Sequence, residues 1–157
     1  MDNVSRIGVG FFAPGFLLED AGGNQIRLSD FRGNKNLLLF FFHGRKCSFC
    51  ADWLDELNGL RSRFALKETE ILAFSPDQRW TSRRLKEEKK LAFPILNVTP
   101  AVIQQYGIQD TQPEGSGLHP SVFLVDKRGI VRLRMVFNHA QRKPDWGVLS
   151  CEVDNLN

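Results

Sequence analysis

The chain has 157 residues, enough for one domain with a real core and too few for two comfortable ones. Its 42% apolar and 25% charged residues are those of an ordinary globular protein, and thirteen Phe against one Tyr promise a core of rings without polar tips. The net charge of +3 is mild and its cations are spread; the run Arg83 to Lys90 contains two glutamates and reads as a solvated helix face, so no nucleic-acid partner is expected.

At the start, "MDNVSRIGVG" carries an early acid and lacks the basic region, apolar stretch and cleavage site of an export signal. The longest apolar run, Leu37 to Phe42, is too short to span a bilayer. A cytoplasmic location without a membrane partner is therefore expected. "DAGGNQIRLSDFRGN", residues 20–34, reads as a turn, a short strand and a loop punctuated by Gly22, Gly23 and Gly33. "NLLLFFFH" is a continuous apolar run, the pattern of a strand buried on both faces. After Cys47 the period becomes helical: Phe49, Trp53, Leu57, Leu60 and Phe64 recur at steps of three or four and form one stripe.

"EILAFSP", 70–76, is a second buried strand stopped by Pro76. "WTSRRLKEEKKL", 80–91, is an amphipathic helix with Thr81 or Ser82 as its cap. Phe93 to Leu96 is a short strand, and "TPAVIQQYGI" a short helix with Thr99 as cap and Pro100 at its first position. "SVFLVDKRGIVRLRMVF", 121–137, is a β-hairpin, and a last helix near Trp146 to Val153 closes the chain. Strands alternating with helices predict an α/β domain over residues 1–157: a central mixed sheet flanked by helices, with the hairpin supplying antiparallel edge strands.

The chemistry gathers in "FFHGRKCSFCADWL", residues 41–54. Cys47 ends the strand-to-helix loop and Cys50 falls in the first helical turn, where orphan N–H groups and the helix dipole favour an anion. Arg45 and Lys46 add positive charge, so a thiol pKa below the free value of about 8.5 is expected. Cys50 shares a helix face with Leu54 and Leu57 and should lean toward the core; Cys47 should be the more exposed, attacking thiol and Cys50 the resolving one. In a reducing compartment such a pair points to catalysis, redox sensing or metal binding rather than a structural staple. Zinc needs four ligands, and with a single CxxC the residues His43, His119 and Cys151 would have to converge, so no metal is expected. Cys151 is read as a packed residue.

"GFFAPGFLLEDAGGNQIRLSDFRG", "LLLFFFHGRKCSFC", "EILAFSPD" and "HPSVFLVDKRGIVRLR" together resemble, in order, the landmarks of AhpC/TSA redoxins, the peroxiredoxin-like branch of the thioredoxin fold. The resemblance implies a thioredoxin-like fold with an N-terminal peroxiredoxin-like extension. Peroxiredoxins carry a Pro, three residues, Thr or Ser, two residues, then the peroxidatic Cys. Here those positions hold His43, Cys47 and Cys50. The family's Arg before the "FLVD" strand is replaced by Pro120, which resembles the thioredoxin-type cis-proline loop that faces a CxxC and binds substrate. On that alignment His119 and Pro120 are substrate-binding positions, and His43 and His119 flank the site as proton-transfer groups.

The expected function is thiol–disulfide exchange through a Cys47–Cys50 dithiol, with no cofactor beyond that disulfide. The alternatives are a thiol peroxidase in which Cys50 meets the peroxide and Cys47 resolves, and a non-catalytic redox sensor or zinc-binding module. Expected partners are a protein or small-molecule disulfide, or a peroxide, and a thiol donor of the thioredoxin or glutathione kind. The chain is expected to act as a monomer or homodimer.

Overall fold

A computed structural model describes residues 8–44, 47–111, 117–137 and 144–156. Its centre is a five-stranded sheet in the order β5-β4-β3-β6-β7, with β3 spanning Asn36–Phe41, β4 Thr69–Ser75, β5 Ile95–Asn97, β6 Ser121–Val125 and β7 Val131–Val136. β3 pairs in parallel with β4 and antiparallel with β6, while β4 and β5 are parallel and β6 and β7 antiparallel. The mixed sheet expected from the sequence is present. Of the two hairpin strands expected at the edge, β6 lies inside the sheet and β7 lies at one edge, with β5 at the other.

The period of two along β3 divides the core. Leu37, Leu39 and Phe41 point to one face with Phe16, Phe74, Tyr106 and Phe123. Leu38, Phe40 and Phe42 point to the other with Trp53, Leu54, Leu57, Phe64 and Leu149. A strand covered on both faces favours apolar residues on both, which explains the unbroken run from Leu37 to Phe42.

Helices α1 (Ser48–Ala65), α2 (Arg79–Lys89) and α4 (Trp146–Asp154) supply buried residues to the second face. α3 (Pro100–Gln105) supplies them to the first, beside a small hairpin of β1 (Leu17–Glu19) and β2 (Gln25–Arg27). Both strands are three residues long, and the sequence shows β2, which follows the turn at Gly22 and Gly23, but not β1. The segment before β1 runs along the β6–β7 turn through bonds from Gly10 N–H to Val131 O and from Ala13 N–H to Gly129 O, each 2.9 Å. This is the N-terminal extension.

Thr99 caps α3 by accepting from the Val102 N–H at 3.3 Å, as expected. α2 departs from expectation. It starts at Arg79, Gln78 is its N-cap with no side-chain bond, and Ser82 is buried inside it with its N–H on Gln78 O. Pro76 ends β4 early enough for the helix to begin a turn sooner than its polar residues suggest. Cys151 is also corrected: it is exposed. α4 turns Leu149, Ser150 and Val153 inward, and about 100° per residue carries position 151 to the outer side.

Candidate active site

β3 and β4 run in parallel with Phe41 opposite Phe74, so both chains leave the sheet at the same end. β6 enters at that end, since Ser121 pairs with Phe41. Three loops therefore meet: residues 42–44 leading to α1, residues 76–78 leading to α2, and residues 118–120 leading into β6. The carboxyl ends of parallel strands in an open α/β sheet are where such sites assemble.

Cys47 is the N-cap of α1, with extended backbone, and its Sγ accepts the Cys50 N–H at 3.3 Å. The sulfur thus takes one of the orphan donors of the helix start. Cys47 and Cys50 are joined as a disulfide with Cα atoms 5.2 Å apart. Cys50 is fully buried and Cys47 retains 9% exposure, the ordering read from the helix stripe. That stripe also holds: Trp53 is buried, with ring contacts to Phe40, Phe49 and Phe137.

His43 follows β3 directly. One of its ring nitrogens and the two sulfurs all lie within 4.8 Å of one another. Its ring meets Phe49 edge-on at 6.1 Å and gives a hydrogen bond to the Leu118 carbonyl. Burial holds the His43 pKa below the ordinary histidine value and His119 adds to that effect, with Asp110 and the Leu118 carbonyl opposing it. A neutral imidazole beside the sulfurs can accept a proton from a thiol.

His119 N–H donates to Ile108 O at 2.7 Å, and Pro120 O accepts from Phe137 N–H at 2.8 Å. These bonds continue the extended backbone of β6 outward. The His119–Pro120 peptide is trans, so the cis-proline implied by the thioredoxin-type resemblance is not what this chain carries. Pro120 instead opens a strand that is paired on both sides. Arg45 and Lys46 lie outside the described residues, and among the described residues neither His119 nor Cys151 joins the cluster of His43, Cys47 and Cys50.

Four contributors escape sequence reasoning. Gly44 adopts φ +118°, and a Cβ built there would lie 2.6 Å from Asp77 Oδ1, so the β3–α1 loop lies directly against the β4–α2 loop. Asp110 and Leu118 reach His43 because Gln109 and Leu118 form an isolated bridge. The parallel register could have pointed to Asp77: counting on from the Phe41–Phe74 pair, Gly44 falls opposite Asp77. No local pattern marks the bridge.

The AhpC/TSA family model matches residues 9–134. Alkyl hydroperoxide reductase E of Mycobacterium tuberculosis is 32% identical over 130 residues, covering 80% of this chain and 83% of that protein. The thiol-disulfide oxidoreductase ResA of Geobacillus thermodenitrificans is also 32% identical over 130 residues, covering 82% of this chain and 69% of that one. Among solved structures, the peroxidoxin BcpB of M. tuberculosis superposes with a TM-score of 0.86 at 17% identity, covering 97% of this chain and 99% of that chain. A peroxiredoxin-like protein from Aquifex aeolicus reaches the same TM-score of 0.86 at 14% identity, covering 96% and 88%. The fold is thioredoxin-like, of the peroxiredoxin type.

Proposed function

The chain belongs to the AhpC/TSA family, and we propose that within it this protein is a thiol–disulfide oxidoreductase cycling Cys47 and Cys50. The observation that carries this reading is the N-cap sulfur: Cys47 Sγ accepts the Cys50 N–H at the head of α1, with its mate buried behind it. The reduced protein starts the cycle. The Cys47 thiolate, favoured by the helix N-terminus, attacks one sulfur of a substrate disulfide. A mixed disulfide forms and the first substrate thiolate leaves. Cys50 then gives its proton to His43 and attacks Cys47 Sγ. The internal disulfide closes and the second substrate thiolate departs, so two electrons pass from the dithiol to the substrate. An external thiol donor, of the thioredoxin or glutathione kind, reopens the pair.

We assign substrate contact to the half-buried His119 beside the buried Pro120, and the cytoplasm is the compartment whose reductants suit the cycle. Among the described residues no helix is long and apolar enough to cross a membrane. In an insulin-reduction assay Cys47→Ser should be inactive, and full activity in that variant would overturn the assignment. Cys50→Ser should accumulate a mixed disulfide on Cys47, visible by mass spectrometry.

A second reading, thiol peroxidase, is favoured by the 32% identity to alkyl hydroperoxide reductase E. Cys50 stands at the peroxidatic position by the family pattern, and Cys47 could condense with its sulfenic acid. The Pro, Thr and Arg of that pattern are replaced by His43, Cys47 and Pro120, which removes the groups that polarise a peroxide. Stopped-flow reaction of the reduced protein with hydrogen peroxide separates the two: rates no better than free cysteine leave disulfide exchange.

A further inference from the structure

We propose that the reduced protein holds a zinc ion through Cys47 Sγ, Cys50 Sγ and a ring nitrogen of His43. The three donor atoms lie within 4.8 Å of one another. Zinc bonds of about 2.3 Å to sulfur and about 2.0 Å to nitrogen give tetrahedral edges of roughly 3.8 Å between sulfurs and roughly 3.5 Å from sulfur to nitrogen. Opening the disulfide lets the sulfurs separate to that edge while their Cα atoms stay near the present 5.2 Å. A Cys-x-x-Cys pair at a helix start has ordinary zinc-ligand spacing.

Two further features fit zinc. The His43 ring gives a hydrogen bond to the Leu118 carbonyl. A backbone carbonyl is a usual orienting partner of a metal-bound histidine. Charge is the other. Cys50 is fully buried and Cys47 is 9% exposed, so a complex there must be close to neutral. Two thiolates and one divalent ion with an imidazole sum to zero. A monovalent soft ion would leave a net negative charge. The fourth position falls to water, as in sites with three protein ligands.

Binding sets one zinc ion on the two thiolates, displacing the Cys50 thiol proton while Cys47 is already ionised, and moves no electrons; an external thiol reductant must first open the disulfide. The metal then occupies both sulfurs and shields them from oxidation and from exchange. That regulatory consequence rests on the function proposed above, whereas the binding itself does not.

The test uses the whole chain, reduced, freed of reductant without air, and titrated with Zn²⁺ against a chromophoric chelator. One zinc per chain bound by the reduced protein, and none by the oxidised protein, are expected. Co²⁺ in place of zinc should give thiolate charge-transfer absorption and a tetrahedral visible spectrum. His43→Gln should weaken zinc binding by at least about tenfold. Should that variant fail to fold, the Co²⁺ spectrum and the reduced–oxidised contrast of the unaltered protein decide. No zinc bound by the reduced protein, equal binding by the oxidised protein, or unchanged affinity in a folded His43→Gln would overturn the proposal. Insulin reduction measured with chelator present is a separate result. Its loss with zinc binding intact removes the exchange reading alone, and zinc failure with exchange intact removes this inference alone.

Discussion

Replacing Gly44 by alanine should damage the site from a position that carries no chemistry. Gly44 holds φ +118°, and an added Cβ would meet Asp77 Oδ1 at 2.6 Å and both Cγ and Oδ2 at 2.9 Å. The backbone strain is of order 1–3 kcal/mol for a residue with a side chain. Pushing the carboxylate or the loop aside costs about 1–3 kcal/mol more, the range for overpacking. A total near 4 kcal/mol lowers the melting temperature of a chain this size by roughly 8–16 °C. Gly44 O also accepts the Cys47 N–H at 3.2 Å, so a shifted Gly44 peptide moves the N-cap sulfur with it. Misplacing a reacting atom by about an ångström can reduce rate by about a hundredfold. Thermal unfolding and insulin reduction, run on Gly44→Ala, Asp77→Ala and the double variant, form a cycle. The double variant should recover the steric share and retain the strain. A Gly44→Ala protein that melts within about 2 °C of the parent and exchanges at the parent rate would refute the packing argument.

Tyr106→Phe should lose about 1 kcal/mol, because the buried hydroxyl donates to Pro14 O at 2.7 Å and the ring itself is kept; denaturant unfolding measures it. Asp126 supplies a pH test. Burial would raise its pKa, but hydrogen bonds from Ile130 N–H, Arg132 and Arg128 outweigh it and hold the carboxyl below its ordinary range. A group depressed in this way contributes stability that is fully present above its unfolded pKa of about 3.9 and is lost as pH falls through its lower folded value. Asp126→Asn should therefore be less stable than the parent at neutral pH, and the two urea curves should converge in acid; a gap independent of pH would remove the ionic explanation.

Much of the scaffold was legible because its pieces announce themselves locally. The run Leu37 to Phe42 is apolar at every position only because the sheet is covered on both sides, and that is visible without coordinates. The α1 stripe, the Thr99-Pro100 cap and the hairpin pattern of residues 121–137 are likewise local signals. The site divides differently. Cys47 and Cys50 and their order of burial follow from helix geometry alone. His43 was placed beside them by alignment, but its partners could not be, since Asp110 and Leu118 come from a loop more than sixty residues away along the chain. The cis-proline failed for a related reason. Whether Pro120 bends a loop or opens a strand depends on what pairs with its neighbours, and here Ile108 and Phe137 hold them extended.

The N-cap sulfur explains how a peroxiredoxin frame can carry an exchange site without rebuilding. By the family pattern, position 47 holds Thr or Ser, residues that serve well as helix caps. Cys47 makes the same kind of bond, accepting the Cys50 N–H. A single change from oxygen to sulfur therefore keeps the local structure and adds a nucleophile three residues from a buried thiol. Stability and chemistry should then separate on substitution. Cys47→Ser should match the reduced parent in urea unfolding within about 0.5 kcal/mol, whereas Cys47→Ala, which cannot cap, should fall about 1 kcal/mol below it. Both should be silent in insulin reduction. Cys47→Ser should also gain little reactivity toward hydrogen peroxide at Cys50, because His43 and Pro120 still stand where the family pattern places Pro and Arg. Equal stability of the serine and alanine variants would show that the sulfur does not cap α1, and with it would go the reason for expecting an ionised thiol at position 47.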